Sequence, residues 1–386
     1  MTRRELGVAI VGHGAMGRAH SFGYAAAPIL TTLPILPVAR VIIGRDRDRA
    51  TAAAAAYGIP ESAEDWRTIL DRDDIDLVDI CTPPGTHAEI AAAAAAAGKA
   101  VLCEKPLATS YPEARAAREA ADRASVLNAI GFNYRRLPAV ALMHRMIAEG
   151  EIGEVRTWRA TWLSDEFVDA SIPFDWRFER WQGGTTIADL GAHLLDMALW
   201  MLGGIREVAA HSGTFVHERP APGAPRAVEI DDASAGLIEF ETGAVGRIEV
   251  ARTAVRRPCD FSVEANGTTG TLCFDYARLN ELWHGDGGDA LDRYGMRRIR
   301  VEHPSQPYGG NLWPIGQGVG YGASFVNQTL ELMNAWDSGH YEPDFATGLA
   351  VQGVCDALEL SARERRWVSV KEITEASVPP IARPTT

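Results

Sequence analysis

The sequence predicts a two-domain α/β chain: a helix-wound parallel sheet first, then an α+β domain with a largely antiparallel open sheet. Three observations carry this. Short apolar runs alternate with helix-compatible stretches up to about residue 130. Beyond it, apolar/polar alternating runs follow one another with few helices between them. At 386 residues the chain also exceeds what one hydrophobic core ordinarily holds. The expected domains are 1–130 and 131–386.

The first strand, 6–11, runs into Gly12-His13-Gly14-Ala15-Met16-Gly17 and a helix. A second strand at 39–43 precedes an Ala-rich helix at 47–57, with Gly58 where a helix C-cap belongs. The segment 66–70, a strand at 76–81, a helix at 87–97 closed by Gly98 and a strand at 100–103 follow. Strand–helix alternation demands right-handed crossovers, hence parallel strands. The poly-Ala tracts at 52–56 and 91–97 read as small-residue helix faces that pack closely on a sheet. Later come a helix at 138–149, a polar-interrupted apolar stretch at 183–202, a Pro-rich loop at 218–226 and strands at 235–240 and 246–250. Helices return near 324–337 and 349–365, and the Pro-rich tail at 377–386 is expected to fray.

Lys and Arg number 38 against 51 Asp and Glu, a formal charge of −13 spread along the chain. This argues against nucleic acid or an anionic membrane as partner. No apolar run approaches the roughly 18 residues of a membrane span, and the N-terminus lacks a signal-peptide pattern, so the expected location is the cytoplasm. The five cysteines are scattered, with no CxxC pair or Cys/His spacing for zinc, and read as buried reduced thiols.

In a Rossmann dinucleotide-binding domain the first loop glycine makes a tight turn, the second admits the pyrophosphate, and the third lets helix meet strand. Gly12, Gly14 and Gly17 fit those roles, with Ala15 and Met16 between them, after a strand and before a helix. The acidic residue expected at the end of the second strand is replaced by Gly44-Arg45. A guanidinium there can stack on adenine and pair with a 2′-phosphate, a lean to NADP over NAD; Asp46, two residues past Gly44, can still take a ribose hydroxyl. Thr82, Pro83 and His87 follow the 76–81 strand, and Glu104-Lys105-Pro106 follows the next one, at the sheet edge where ligands bind. These residues complete the expected cofactor set.

Asp189, His193 and Asp196 are spaced by four and three, which places them on one helical face. Metal site, catalytic cluster and satisfied core group are the three readings. Hard ions want more oxygen ligands than this stripe supplies, and zinc more Cys or His. No metal is expected. The preceding pair Gly183-Gly184 reads as a way to bring the helix end close to ligands.

The glycine loop, Glu104-Lys105-Pro106 and Gly183-Gly184-x4-Asp189-x3-His193-x2-Asp196, in this order, resemble the Gfo/Idh/MocA family, relatives of glucose-fructose oxidoreductase and inositol dehydrogenase. The resemblance covers nearly the whole chain. It is greatest to the levoglucosan dehydrogenase branch, through residues 132–142, Trp176-Arg177-Phe178, Glu218-Arg219-Pro220, 303–315 and 320–322. The chain departs from the branch at Gly44, where the branch has an acid, and at Ser164-Asp165-Glu166, where it has Gln-Asp-Trp. Cofactor choice and sugar identity therefore do not transfer with the resemblance.

The resemblance implies an NAD(P)-dependent sugar or cyclitol dehydrogenase that oxidises a ring secondary hydroxyl to a ketone, a pyranose or anhydrosugar being favoured. Lys105, Asp189 and His193 would act on the substrate beside the nicotinamide. A near-neutral imidazole is the natural base for the hydroxyl proton, and an ammonium stabilises the developing alkoxide while keeping the imidazole neutral by repulsion. Asp189 would bind a neighbouring hydroxyl or fix the histidine, and Asp196 reads as scaffold. Tyr134, Arg135, Trp162, Asp165, Trp176, Arg177 and Tyr321 are the expected polyol-pocket residues, because aromatic faces stack on sugar C–H surfaces. The same resemblance implies that the open sheet face pairs with another subunit, giving a homodimer or homotetramer. The alternatives are an inositol-type dehydrogenase, an enzyme that cleaves a glycosidic bond by transient oxidation with tightly bound NAD, and a nucleotide-sensing regulator.

Overall fold

The computed structural model describes residues 4–375, so the Pro-rich tail at 377–386 lies outside the described residues. The chain forms two compact units. The first runs to Arg136 and also takes Asn311–Pro314 and Val319–Ala350; the second takes Leu137–Gly310, Ile315–Gly318 and the described residues from Val351 on.

The first unit is a six-stranded parallel sheet of β1 (Glu5–Val11), β2 (Leu36–Ile43), β3 (Glu61–Ala63), β4 (Leu77–Ile80), β5 (Ala100–Cys103) and β6 (Asn128–Ile130), in the order β3-β2-β1-β4-β5-β6. The order reverses between β1 and β4, and open α/β sheets bind ligands at such a switch point. Helices α1 (Ala15–Leu30), α2 (Arg47–Tyr57), α3 (His87–Ala96) and α4 (Tyr111–Ala124) cover it. Gly58 caps α2 in the left-handed conformation, φ 70°, as its position predicted. Ala91, Ala94 and Ala95 of α3 are fully buried, so the poly-Ala tract is a close-packing face. The third strand, β6 and α4 had no counterpart in the sequence pattern; the buried Ala114, Ala117 and Ala121 mark α4's inner face.

The second unit contains α5 (Pro138–Ala148), α6 (Ala192–Leu202) and a mixed sheet. Its strands are β7 (Val155–Leu163), β8 (Ile205–Gly213), β11 (Ala233–Phe240), β12 (Val245–Ala251), β13 (Asp260–Gly267), β14 (Gly270–Asp275), β15 (Glu281–Asp286), β16 (Met296–Arg300) and β17 (Val368–Ser369), while β9 (Glu218–Arg219) and β10 (Arg226–Ala227) form a separate two-stranded ribbon. The sheet order is β16-β15-β14-β13-β7-β12-β11-β8-β17. Among the described residues, only β7 and β12 of this sheet pair in parallel, so the expectation of a mostly antiparallel sheet holds. Strict alternation along β12 buries Ile248 and Val250 on one face and exposes Val245, Arg247 and Glu249 on the other. Trp158, Phe240, Phe261 and Phe274 fill the buried side, each such ring contributing about 2–3 kcal/mol.

Helix α7 (Gly322–Ala335) belongs to the first unit, not to the 131–386 domain expected for it. It packs on α1, and the approach is close: a Cβ on Gly23 would come 2.9 Å from the Phe325 carbonyl oxygen. Amphipathic periodicity marks the helix but not the surface on which it docks. The long helix α8 (Phe345–Glu364) follows. Among the described residues, no helix is long and apolar enough to cross a membrane.

Candidate active site

The three loop glycines do different work. Gly12 has φ 116°, and a Cβ there would meet the Cys81 carbonyl oxygen at 2.5 Å. A Cβ on Gly17 would lie 1.9 Å from the Gly12 carbonyl oxygen, so α1 can meet β1 only through glycine. A Cβ on Gly14, by contrast, would find nothing within 4 Å. Gly14 is also the N-cap of α1, whose first turn has neither a side-chain cap nor an acidic residue. Exposed amides and the positive end of the helix dipole there fit a pyrophosphate. Ala15 is exposed and Met16 half-buried beside it.

At the end of β2, Gly44 is covered by His13: a Cβ would fall 2.1 Å from His13 Cδ2. Arg45 and Asp46 are exposed. The Asp46 carboxylate already has a partner, since its Oδ1 accepts from the Arg49 backbone N–H at 3.0 Å and caps α2.

Beyond β4, the Thr86 hydroxyl donates to Thr82 Oγ1 at 2.7 Å, and Pro83 leads into the short turn that opens α3. His87 is fully buried, its Nδ1 2.7 Å from the Pro106 carbonyl oxygen and its Nε2 2.7 Å from that of Thr82. Burial lowers its pKa, against the opposing pull of the two carbonyls. It braces two turns and leaves no ring nitrogen for a ligand, which corrects its expected place in the cofactor set. Glu104 is corrected likewise: it is 4% exposed, one oxygen 2.9 Å from His20 Nε2 and the other accepting from the Lys105 backbone N–H at 3.1 Å. Lys105 itself is half-buried at the carboxyl end of β5.

In the second unit, residues Ile187–Gly191 form a π-helical turn that runs into α6. Asp189 therefore sits on the wider π turn, and only His193 and Asp196 keep α-helical spacing, a departure from the uniform stripe expected. Such turns recur at functional sites. The turn is tied down at its start: Thr186 donates both its backbone N–H and its hydroxyl to Asp231, and Thr185 Oγ1 donates to Glu359 at 2.7 Å. Gly183 has φ 74°, and a Cβ on Gly184 would lie 2.3 Å from the Arg177 carbonyl oxygen. The paired glycines thus serve the packing of the 176–184 loop on itself, not ligand approach.

Arg252, just past β12, carries no signal in the sequence that marks it as a site residue. Its guanidinium is 1% exposed, donates to the Gly184 carbonyl at 2.6 Å and the Asp231 carbonyl at 3.2 Å, and reaches 3.6 Å from Asp189 Oδ2. A lone arginine at a strand end gives no period or motif that would flag it. His193 is 6% exposed and Asp196 1%, the latter in keeping with scaffold.

The polyol residues fall into two groups. In the first unit, Tyr134 and Tyr321 lie with ring centroids 5.9 Å apart, and Arg135 is buried beside Tyr134 in sequence. In the second, the Trp162 ring stacks on His193 at 5.4 Å and on Phe261 at 5.1 Å. Trp162 therefore steadies the imidazole rather than offering a free face to a sugar. Arg177 folds over the Trp176 ring at 4.5 Å and pairs with Asp175 at 3.4 Å, while Asp165 is half-buried. Glu166, the last residue of the Ser164-Asp165-Glu166 stretch, lies within electrostatic reach of Asp189, Arg177 and Arg252. Partial burial of its carboxyl, then the charge of Asp189, raise its pKa, with Arg177 and Arg252 opposing.

A nucleotide-binding parallel sheet with an open glycine loop, followed by a unit bearing an acid–histidine turn, defines a pyridine-nucleotide oxidoreductase. Residues 6–132 match the model of the oxidoreductase family with NAD-binding Rossmann fold, and residues 140–273 match the GFO/IDH/MocA C-terminal domain. The chain belongs to the GFO/IDH/MocA oxidoreductase family. It is 38% identical to levoglucosan dehydrogenase of Pseudarthrobacter phenanthrenivorans over 96% of this chain and 100% of that one. It is 32% identical to scyllo-inositol 2-dehydrogenase (NAD(+)) of Bacillus subtilis over 68% of this chain and 72% of that one. A solved structure of levoglucosan dehydrogenase in complex with NADH and levoglucosan superposes with a TM-score of 0.92, at 39% identity, covering 95% of this chain and 100% of that one.

Proposed function

We propose that this protein oxidises a ring secondary hydroxyl of a pyranose or anhydrosugar, levoglucosan foremost, to a ketone. The carrying observation is the end-to-end similarity to levoglucosan dehydrogenase, with Lys105, Asp189 and His193 all in place. The bound nicotinamide supplies the hydride acceptor. Gly12, Gly14 and Gly17 shape its pyrophosphate loop, and Thr82 and Pro83 border its path.

His193, steadied by Trp162, takes the hydroxyl proton. The Lys105 ammonium stabilises negative charge as it develops on that oxygen. Asp189, paired with Arg252, accepts a hydrogen bond from a neighbouring sugar hydroxyl; the arginine favours this role over that of holding the histidine. Tyr134, Arg135, Tyr321, Asp165, Trp176 and Arg177 line the sugar's remaining surface.

NADP is taken in preference to NAD, because Arg45 is exposed at the end of β2 and Asp46 is engaged as a helix cap. The open sheet face, with Leu237 and Val245 exposed beside Arg247 and Glu249, is the surface of a homodimer or homotetramer, and the location is the cytoplasm. Reduced-nicotinamide absorbance with levoglucosan, inositols and aldoses, each with NAD and NADP, tests the reading. Turnover of inositols but not of anhydrosugars would overturn the substrate, and a strong NAD preference the Arg45 role.

A further inference from the structure

The core of the first unit holds a charged chain that the proposed chemistry does not use. His20, on α1, is 2% exposed. Its Nδ1 lies 2.8 Å from Asp79 Oδ2 and 3.0 Å from Oδ1, and its Nε2 lies 2.9 Å from Glu104 Oε1. Asp79 is fully buried on β4 and also accepts from the Tyr24 hydroxyl at 2.9 Å and the Cys81 thiol at 3.6 Å. The other Glu104 oxygen accepts from the Lys105 backbone N–H at 3.1 Å. A Cβ on Gly131 would come 2.7 Å from Glu104 Oε1, so glycine there makes room for the carboxyl.

A neutral imidazole donates from one nitrogen only, and here a carboxylate oxygen faces each. The imidazolium alone donates to both, and it leaves the cluster at one net negative charge instead of two.

We propose that His20 is a positioning residue for Lys105: an imidazolium clamped between Asp79 and Glu104 keeps the Glu104 carboxylate aimed at the Lys105 peptide, and so fixes the turn that presents the lysine side chain. The inference rests on the reading of Lys105 as the alkoxide-stabilising group. The groups around the ring agree with it. Tyr24, Cys81 and Cys103 are all held in their neutral, protonated forms by burial first and by Asp79 or Glu104 next. The Phe325 ring from α7 packs on the imidazole at 5.4 Å, and Tyr341, whose phenol burial pushes up to about 12, carries no charge. Burial would lower His20, but the adjacent Asp79 carboxylate overcomes it and raises the group well above 6.5. His20, Asp79 and Cys81 also lie close enough to share a metal ion, but a ligating His20 would give up the Nδ1 proton that joins it to Asp79.

Nitrogen-15 NMR of the intact wild-type protein at about pH 8, with His20 assigned by its loss in His20→Gln, should show both ring nitrogens protonated, whereas an ordinary histidine is neutral there. A neutral ring overturns the proposal. On levoglucosan, His20→Gln should lower kcat roughly 10- to 100-fold, the scale of a small misplacement of a catalytic group, and leave the NADH dissociation constant within about twofold. In a Lys105→Ala background it should cost nothing further, and multiplicative losses overturn the proposal. Glu104→Gln, whose single amide oxygen cannot accept from His20 and from the Lys105 N–H at once, serves as the second arm where His20→Gln fails to fold, with the same outcomes expected. Wild-type turnover in Lys105→Ala would sink the lysine's catalytic role while leaving the NMR result standing.

Discussion

The Arg252 guanidinium lies 3.6 Å from the Asp189 carboxylate, with the arginine almost wholly buried and the aspartate open to solvent by about a quarter of its surface (24%). One end of the pair is anchored in the core and the other faces outward. Arg252→Met would strand the Gly184 and Asp231 carbonyls and remove the Arg252–Asp189 ion pair, costing about 2–4 kcal/mol. Denaturant unfolding should show that loss, with KM for levoglucosan raised. Arg252→Lys, which keeps the charge but not the fork, should fall between the two.

Lys105→Ala and His193→Ala should each lower kcat by roughly 10²- to 10⁴-fold with little change in folding. For His193→Ala the acid limb of the pH–rate profile should also disappear, because that limb reports protonation of the base. Stopped-flow measurement of reduced-nicotinamide formation checks both, and near-wild-type turnover refutes the assigned role.

The glycine loop separates binding from folding. Gly14→Ala places a methyl where nothing lies within 4 Å, so the melting temperature should hold while NADH binding weakens by about tenfold or more, a loss of at least ~1.4 kcal/mol. Gly17→Ala drives a methyl against the Gly12 carbonyl and should destabilise the first unit itself. Fluorescence titration beside thermal unfolding distinguishes the two, and a Gly14→Ala protein with wild-type affinity would remove the pyrophosphate from that position.

His20 links stability to pH in a fixed direction. Its folded-state pKa lies above the ordinary 6.5, so its contribution is complete below 6.5 and fades as pH rises through the folded value. From pH 6.5 to about 9, the melting temperature of wild type should fall relative to that of His20→Gln. A gap that widens with pH contradicts the sign.

Glu166 lies within electrostatic reach of Asp189, Arg177 and Arg252. Glu166→Gln should change the ratio of kcat/KM for levoglucosan to that for myo-inositol by about threefold or more, on the scale of one polar contact. An unchanged ratio places the residue outside recognition.

The parallel sheet was legible because each of its principal strands ends in a glycine or proline turn that interrupts an apolar run, and the C-terminal strands because they alternate. The candidate residues with a fixed motif, the loop glycines, Lys105, Asp189 and His193, could be found the same way. Arg252 could not, since its role comes from carbonyls of Gly184 and Asp231 that meet it only in the folded chain. The π turn at 187–191 was hidden too: hydrophobic spacing fixes the face of a helix but does not distinguish a coil widened by one residue. His87 and Glu104 were assigned to the cofactor by position along the strands, whereas burial and their hydrogen bonds give them to the scaffold. Position predicts proximity, but only packing decides which way a side chain turns.

The contact between His13 and Gly44 ties two positions together in any change of nucleotide preference. An acidic side chain at 44 cannot be introduced while the His13 ring lies over that α-carbon, since even its first atom would collide. The ring, at the end of a partly exposed side chain, must turn away to admit it, or a smaller residue at 13 must make the room. Nucleotide preference at position 44 is therefore coupled to the His13 side chain: Gly44→Asp alone must turn the imidazole aside, and the binding change it produces reports both residues together.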